Sequence, residues 1–472
     1  MSLQTSSQQG VAVTVAGKPA LLRGLNVWHA TSIVAGTIIG SGIFLVPAEM
    51  MQAVGSARLV YLAWVVGGLL SFFGALTYAE LGSVRPFAGG EYVYVRDAYG
   101  PLPAFLYGWT WFLIAKPASI ATVTAGLVRV LGTFPAFAFL PQTMFALHIT
   151  SNRVLVVNYG HLVAIAATAL ITALNYVGVR KAGNFQFAFT VLKVVMIVGI
   201  AVIAFMAASG SWLNFASSFV GARGGVAGFM AALVAALWAY DGWNDLNMVS
   251  EEIQRPERSI PIALIAGVGL VAVLYMGMNA GIQKALPAEA IANSAVPAAA
   301  ASEAAIGRWG VSLVSIGMMI SMLATLNGTV MSGGRVPFAL ARDGYFFSAL
   351  GEVHPRFHTP GLALVIQAAV AIILIVVGGA FRELFSLAIF AEWLFYMVAA
   401  STIFVFRRRE PDVNRPYRTM GYPLVPALFI ATAGVLLYYT FTSNLKNSVG
   451  GVVVILLGIP VYVWFRRKRP GQ

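Results

Sequence analysis

Apolar stretches of about twenty residues recur along the whole of this chain, and each is long enough to cross a bilayer as a helix. About twelve can be counted, with only short polar joints between them. Of the 472 residues 59% are hydrophobic and 10% are charged, against about 25% charged residues in ordinary soluble domains. These features imply an all-α polytopic membrane protein and exclude a string of soluble domains.

Charge then orients the bundle. The chain has 30 Lys+Arg against 17 Asp+Glu and a net charge of +13. In a soluble protein that excess would suggest nucleic acid as a partner; here basic residues collecting in cytoplasmic loops explain it better. Threading the spans puts about twenty basic residues on the amino-terminal side and about eight on the other, so both termini are expected in the cytoplasm and the number of spans is expected to be even. The segments are a cytoplasmic tail over 1–24, five spans over 25–208, five more over 224–406, two over 424–465, and a cytoplasmic tail over 466–472 that begins Arg466-Arg467-Lys468-Arg469. The polar start, Ser2 to Gly10, is not followed by a cleavable signal pattern. There is no cysteine, so neither a disulfide nor a thiolate metal site can form, and the five histidines show no metal-ligand spacing. No metal or cofactor is expected.

Span 1, about residues 25–54, holds Gly36-Thr37-Ile38-Ile39-Gly40-Ser41-Gly42-Ile43-Phe44 at its middle. Three glycines in seven residues make a continuous helix costly there. Broken backbone at bilayer depth persists only where it is buried in protein or lines a watery cavity. A break frees the N–H groups of Ser41, Gly42 and Ile43 at the start of a new half-helix, where an anion is favoured. It also frees the C=O groups of Thr37, Ile38 and Ile39, which favour a cation. A zwitterionic amino acid carries both charges a few Å apart. The plainer alternative is that these glycines only let helices pack closely.

Span 6, about residues 225–250, has a second candidate break at Leu237-Trp238-Ala239-Tyr240-Asp241-Gly242-Trp243-Asn244-Asp245. It leads the second set of five spans as span 1 leads the first. Five is odd, so the sets have opposite orientation, and matched interruptions in inverted halves point to a transporter's central site. Carbonyls of Trp238, Ala239 and Tyr240 would add partners for an ammonium. Trp238 is either a movable lid or a packing aromatic, whereas Trp243 reads as packing. Asp241 either faces the cavity, taking a cationic side chain or a proton, or N-caps the inner half-helix.

Two lysines lie inside spans. Lys193 in span 5 could set its ammonium among helix-end carbonyls where a metal cation would otherwise sit, or could reach to the inner surface. Lys116, next to Pro117 in span 3, reads as a helix brace. Asp245, Glu251 and Glu252 read as partners of basic loop residues. Glu392 in span 10 is a further carboxylate at membrane depth.

Several motifs together carry a family likeness. Gly36 to Phe44, Tyr78-Ala79-Glu80-Leu81-Gly82, Gly89-Gly90-Glu91-Tyr92, Lys116-Pro117, Trp238 to Asn244 with Leu246-Asn247, and Arg408-Glu410-Pro411 resemble the amino acid–polyamine–organocation superfamily, and most closely its L-type amino acid transporters. The resemblance implies an inverted five-plus-five repeat with helices 1 and 6 broken, alternating access, and sodium-independent exchange of L-amino acids. It matches Ile38, Ser41, Gly42, Ile43, Trp238 and Ala239 to substrate-contacting positions and Lys193 to a basic position of span 5. Asp241-Gly242 looks most like the branch that exchanges dibasic and neutral amino acids, so cationic substrates are admitted beside neutral ones. Animal members are disulfide-linked to a glycoprotein; without cysteine this chain is expected to stand alone in a bacterial inner membrane. The expected partners are therefore amino acid substrates and lipid, with no nucleic acid and no disulfide-linked subunit. A proton-coupled symporter and a transport-inactive sensor are the alternatives, and no enzyme constellation stands out.

Overall fold

A computed structural model of the chain describes residues 19–150, 153–377, 381–443 and 445–468. Most of the expected amino-terminal tail (1–18) and the end of the carboxy-terminal one (469–472) lie outside the described residues. Among the described residues ten helices are long and apolar enough to cross a membrane. They include Val27–Val54 (span 1), Ala57–Val84 (span 2), Pro101–Leu131 (span 3), Val179–Phe205 (span 5) and Pro256–Ala285 (span 7). Span 8 is the helix Arg308–Gly333, span 10 is Phe381–Arg409 and span 11 is Leu424–Ser443. Two shorter apolar helices, Gly225–Ala239 and Gly361–Val377, stand in the places of spans 6 and 9.

Span 1 is interrupted. Its first helix, Val27–Ile38, is capped by the Asn26 side chain, which accepts from the His29 N–H at 3.0 Å, and stops at Ile38. Gly40 and Ser41 form a bend and the second helix is Gly42–Val54. Gly36 lies inside the first helix and serves packing: a Cβ there would stand 2.2 Å from Gln186 Nε2 and 2.4 Å from Thr190 Oγ1 of span 5.

Span 6 stops at Ala239, and residues 240–244 turn, with Gly242 at a φ of +106° that L side chains rarely adopt. Beyond the turn the structure departs from the expected inner half-helix. Only a four-residue helix, Asp245–Met248, and a 3-10 turn, Ser250–Glu252, follow. Asp, Asn and Gly in this stretch compete for the backbone or lack its restraint, so a long helix does not form. Asn244, not Asp241, occupies the N-cap position, which removes capping as the role of Asp241.

Other elements were not legible as helices or strands. The loop after span 3 holds an antiparallel hairpin, Thr143–Thr150 with Arg153–Asn158. Short helices occupy the loops after spans 2 and 8, at Glu91–Tyr99 and Arg335–Arg342. A five-residue π-helical segment, Trp111–Ala115, precedes Lys116-Pro117 in span 3, and the Lys116 N–H reaches back to Trp111 O. Proline removes one helical donor here and the wider turn absorbs the defect.

Candidate functional site

The two interruptions face one cavity of about 120 Å³. Thr37, Ile38, Gly40, Ser41 and Gly42 line it from span 1, and Trp238, Ala239, Asp241, Gly242 and Asp245 from span 6. Span 3 contributes Lys116, Ser119 and Thr122, span 8 contributes Met322, Thr325 and Thr329, and span 10 contributes Glu392. The breaks approach each other closely. A Cβ on Gly42 would stand 3.1 Å from Ala239 Cα, and one on Gly242 would stand 3.1 Å from the Thr37 carbonyl carbon. Of the residues singled out by sequence, Ile38, Ser41, Gly42, Trp238, Ala239 and Asp241 meet at this cavity. Ile43 does not line it; its side chain is buried in the core.

The peptide groups at the break are unevenly occupied. Among the described residues the N–H groups of Ser41, Gly42 and Ile43 have no backbone acceptor, and the first N–H of the new helix to find one is Phe44, to Ser41 O at 3.1 Å. Three open donors at a helix start form a seat for an anion. The carbonyls are more engaged than the sequence suggests. Ile38 O accepts from the Gly40 N–H at 2.8 Å and the Tyr275 hydroxyl at 3.1 Å. Ile39 O accepts from Lys193 at 2.6 Å, Ser321 at 2.7 Å and Thr325 at 3.1 Å. Thr37 O has no backbone partner among the described residues, and Thr37 lines the cavity. A single ammonium therefore finds its freest acceptor one residue earlier than the middle of the break.

Lys193 sits behind the cavity. It is fully buried, and its ammonium donates to Gly36 O at 2.8 Å, Ile39 O at 2.6 Å and Ser321 O at 3.2 Å. Reach to the inner surface is thereby ruled out for this side chain. The three acceptors tie span 5 to the end of the first half-helix and to span 8. Tyr275 of span 7 makes the complementary tie. Its hydroxyl lies 3.1 Å from Ile38 O and 2.9 Å from Ala239 O, the last residue of each broken helix. Its ring packs edge-on to Trp64, with centroids 5.3 Å apart, and against Tyr240 at 5.1 Å. Nothing in the sequence marks Tyr275; it reads as one more aromatic in an apolar run.

The acidic groups form a chain from the cavity toward the loop helix Glu91–Tyr99. Lys116 pairs with Asp245 and braces span 3 against span 6; Asp245 was expected to pair with a basic loop residue, and the buried span 3 ammonium takes that place. Tyr396 of span 10 donates to Asp241 at 2.9 Å and lies 3.2 Å from Asn244 Oδ1. Asn244 donates to Glu91 at 2.7 Å, and the Tyr107 hydroxyl lies 3.3 Å from the other Glu91 oxygen. Burial pushes the Glu91 carboxyl up to about 7, while the Asn244 bond and the nearby Lys116 charge act in the opposite sense. Trp243 packs, as expected, among Tyr78 at 4.8 Å, Tyr396 at 5.7 Å and Phe429 at 6.0 Å.

Further in, Glu251 and Glu252 find arginines. Arg335 grips Glu252 at 2.7 and 3.0 Å with both side chains fully buried, and Arg342 holds Glu251 at 2.9 Å. Glu80 is held by Arg407 at 2.6 Å, and Arg85 by Glu410 at 2.7 Å. Among the described residues no group of three or more His, Asp or Glu is placed to hold a metal ion.

Known proteins can be compared with this geometry. Residues 25–465 match the family described as amino acid permease. The chain is 30% identical over 454 residues to a serine/threonine exchanger of Bacillus subtilis, covering 95% of this chain and 98% of that one. It is 31% identical to the human cystine/glutamate transporter, covering 96% and 88%. To the b(0,+)-type amino acid transporter 1 of Oryctolagus cuniculus it is 34% identical over 393 residues, 82% of this chain and 76% of that one. All three are membrane transporters and none is an enzyme.

Proposed function

The chain belongs to the amino acid permease family, and on that premise we propose that it is a sodium-independent exchanger of L-amino acids, neutral and also cationic, working by alternating access. Amino acid transport itself follows from the family and its relatives. The observation that carries the finer reading is the meeting of two interrupted helices at one cavity, with open N–H groups on one side and carbonyls on the other. In this reading the substrate carboxylate sits on the N–H groups of Ser41, Gly42 and Ile43. The ammonium sits on Thr37 O and the span 6 carbonyls, and Trp238 closes over the bound molecule. Lys193 holds the place of a metal cation, which supports independence from sodium. The two sets of five spans, 25–208 and 224–406, move as inverted halves about this centre, with 424–465 outside the repeat. We place the protein in a bacterial inner membrane with both termini in the cytoplasm, from the basic inner loops. The chain has no cysteine for a disulfide to a partner subunit.

Proteoliposomes loaded with unlabelled amino acids test this. Labelled substrate should enter without sodium and faster with internal substrate than without; uptake indifferent to internal substrate overturns exchange. Asp241 and Glu392 in the cavity wall also suit a proton-coupled symporter, which uptake into empty vesicles driven by a pH gradient would reveal.

A further inference from the structure

Four charged side chains line the central cavity: Lys116, Asp241, Asp245 and Glu392. Lys116 is committed to Asp245. Asp241 takes a neutral hydroxyl from Tyr396. Glu392 makes no hydrogen bond or ion pair with a described residue; the charged groups near it are Asp241, Asp245 and Lys116. One side of the site therefore holds two carboxylates to which no described residue supplies a cation of their own. At membrane depth such a charge marks a functional position whose partner has to be found.

A second cavity adjoins the same two carboxylates. It measures about 40 Å³ and lies between spans 6, 10 and 11. Trp238, Asp241 and Glu392 line both cavities, and Val234, Leu237, Trp393 and Leu436 supply an apolar wall to the smaller one. It has room for a few waters, which is the size of an end group and not of a whole amino acid. An apolar wall, an indole face and two carboxylates match a chain of methylenes that ends in a cation.

We propose that Glu392, with Asp241, is the acceptor for the terminal ammonium or guanidinium of a transported amino acid, whose side chain passes Trp238 into the smaller cavity. This rests on the exchanger reading above and adds to it the residue that sets side-chain preference. The substrate α-carboxylate and α-ammonium stay on the interrupted helices, and the side-chain cation neutralises the outer pair of acids. A neutral side chain of the same shape leaves that pair without a counterion.

Calorimetry on the purified protein with L-arginine, its uncharged isostere L-citrulline, and L-leucine tests it. The wild type should bind arginine at least about tenfold more tightly than citrulline. Glu392→Gln should cut that preference by about tenfold, and Glu392→Asp should restore part of it. A wild type that prefers citrulline, or binds the two alike, overturns the proposal, as does a preference that survives Glu392→Gln. If Glu392→Gln does not fold, the wild-type isostere pair decides alone. Failure of all three, and of L-serine as well, to bind overturns the exchanger reading instead, whereas binding of L-serine without any preference for arginine overturns only the present proposal.

Discussion

Gly40 and Gly42 stand two residues apart in the same interruption, yet the structure assigns them different tolerances. A methyl group on Gly42 meets Ala239 Cα and Cβ, both at 3.1 Å. Carbon atoms prefer about 3.5–4.0 Å, so the two interrupted helices must separate by roughly half an ångström. Ala239 is the last residue of its helix and its carbonyl is held by Tyr275, so it cannot turn aside freely. Overpacking of this kind costs about 1–3 kcal/mol. With the whole of that cost on the ligand-bound state, binding weakens by about five- to 150-fold. A methyl group on Gly40 meets only Thr325 Oγ1, at an ordinary 3.8 Å, and should change affinity by no more than about twofold. Purified Gly40→Ala and Gly42→Ala would be titrated with amino acid by calorimetry, and uptake measured in proteoliposomes. Gly42→Val should abolish uptake. Equal effects at the two glycines, or normal uptake by Gly42→Val, would refute the claim that the contact between the breaks shapes the site.

Lys193→Ala removes charge-assisted bonds worth about 1.5–3 kcal/mol each and leaves Gly36 O and Ile39 O beside the Ser321 and Thr325 hydroxyls; uptake should fall at least tenfold and recover partly with sodium, and normal sodium-free uptake contradicts this. Tyr275→Phe keeps the ring packing but loses the bridge between Ile38 O and Ala239 O, so thermal unfolding should show a loss of about 1–3 kcal/mol and KM should rise. Glu91 titrates near 7 in the folded protein against a usual 4.5. The fold therefore favours its protonated form, and that stabilisation is full below 4.5 and lost as pH rises through 7. The loss amounts to about 3 kcal/mol at most; Glu91→Gln should flatten this part of the pH profile, and an unchanged profile would show that another group titrates there.

The membrane spans were legible because twenty apolar residues in a row have few other fates in water or lipid. The break in span 1 was legible because Gly40 and Gly42 make helix continuation costly on their own, with no help from distant residues. The turn after Ala239 was placed for the same reason, but the missing inner half-helix was not foreseen. Its outcome depends on how Asp241 to Asn247 compete for partners such as Tyr396, Glu91 and Tyr94. Long-range pairings were beyond sequence reasoning. Lys116 and Asp245 are 129 residues apart, and Tyr275 and Ile38 are 237 apart, so no local signal connects them. The hairpin at Thr143–Thr150 hid in a short apolar run whose period does not separate strand from loop. Ile43 follows the motif in sequence, yet the helix that begins at Gly42 turns its side chain into the core.

Peptide groups at the two interruptions hold both charges of the substrate. Calorimetric affinities of the purified protein for L-serine, ethanolamine and N-acetyl-L-serine test it most directly. Ethanolamine lacks the carboxylate and N-acetyl-L-serine lacks the ammonium. Each should bind about a hundredfold more weakly than L-serine, the loss expected for charge-assisted bonds left unmade. If either analogue binds as tightly as L-serine, one of the two interruptions plays no part in holding the substrate.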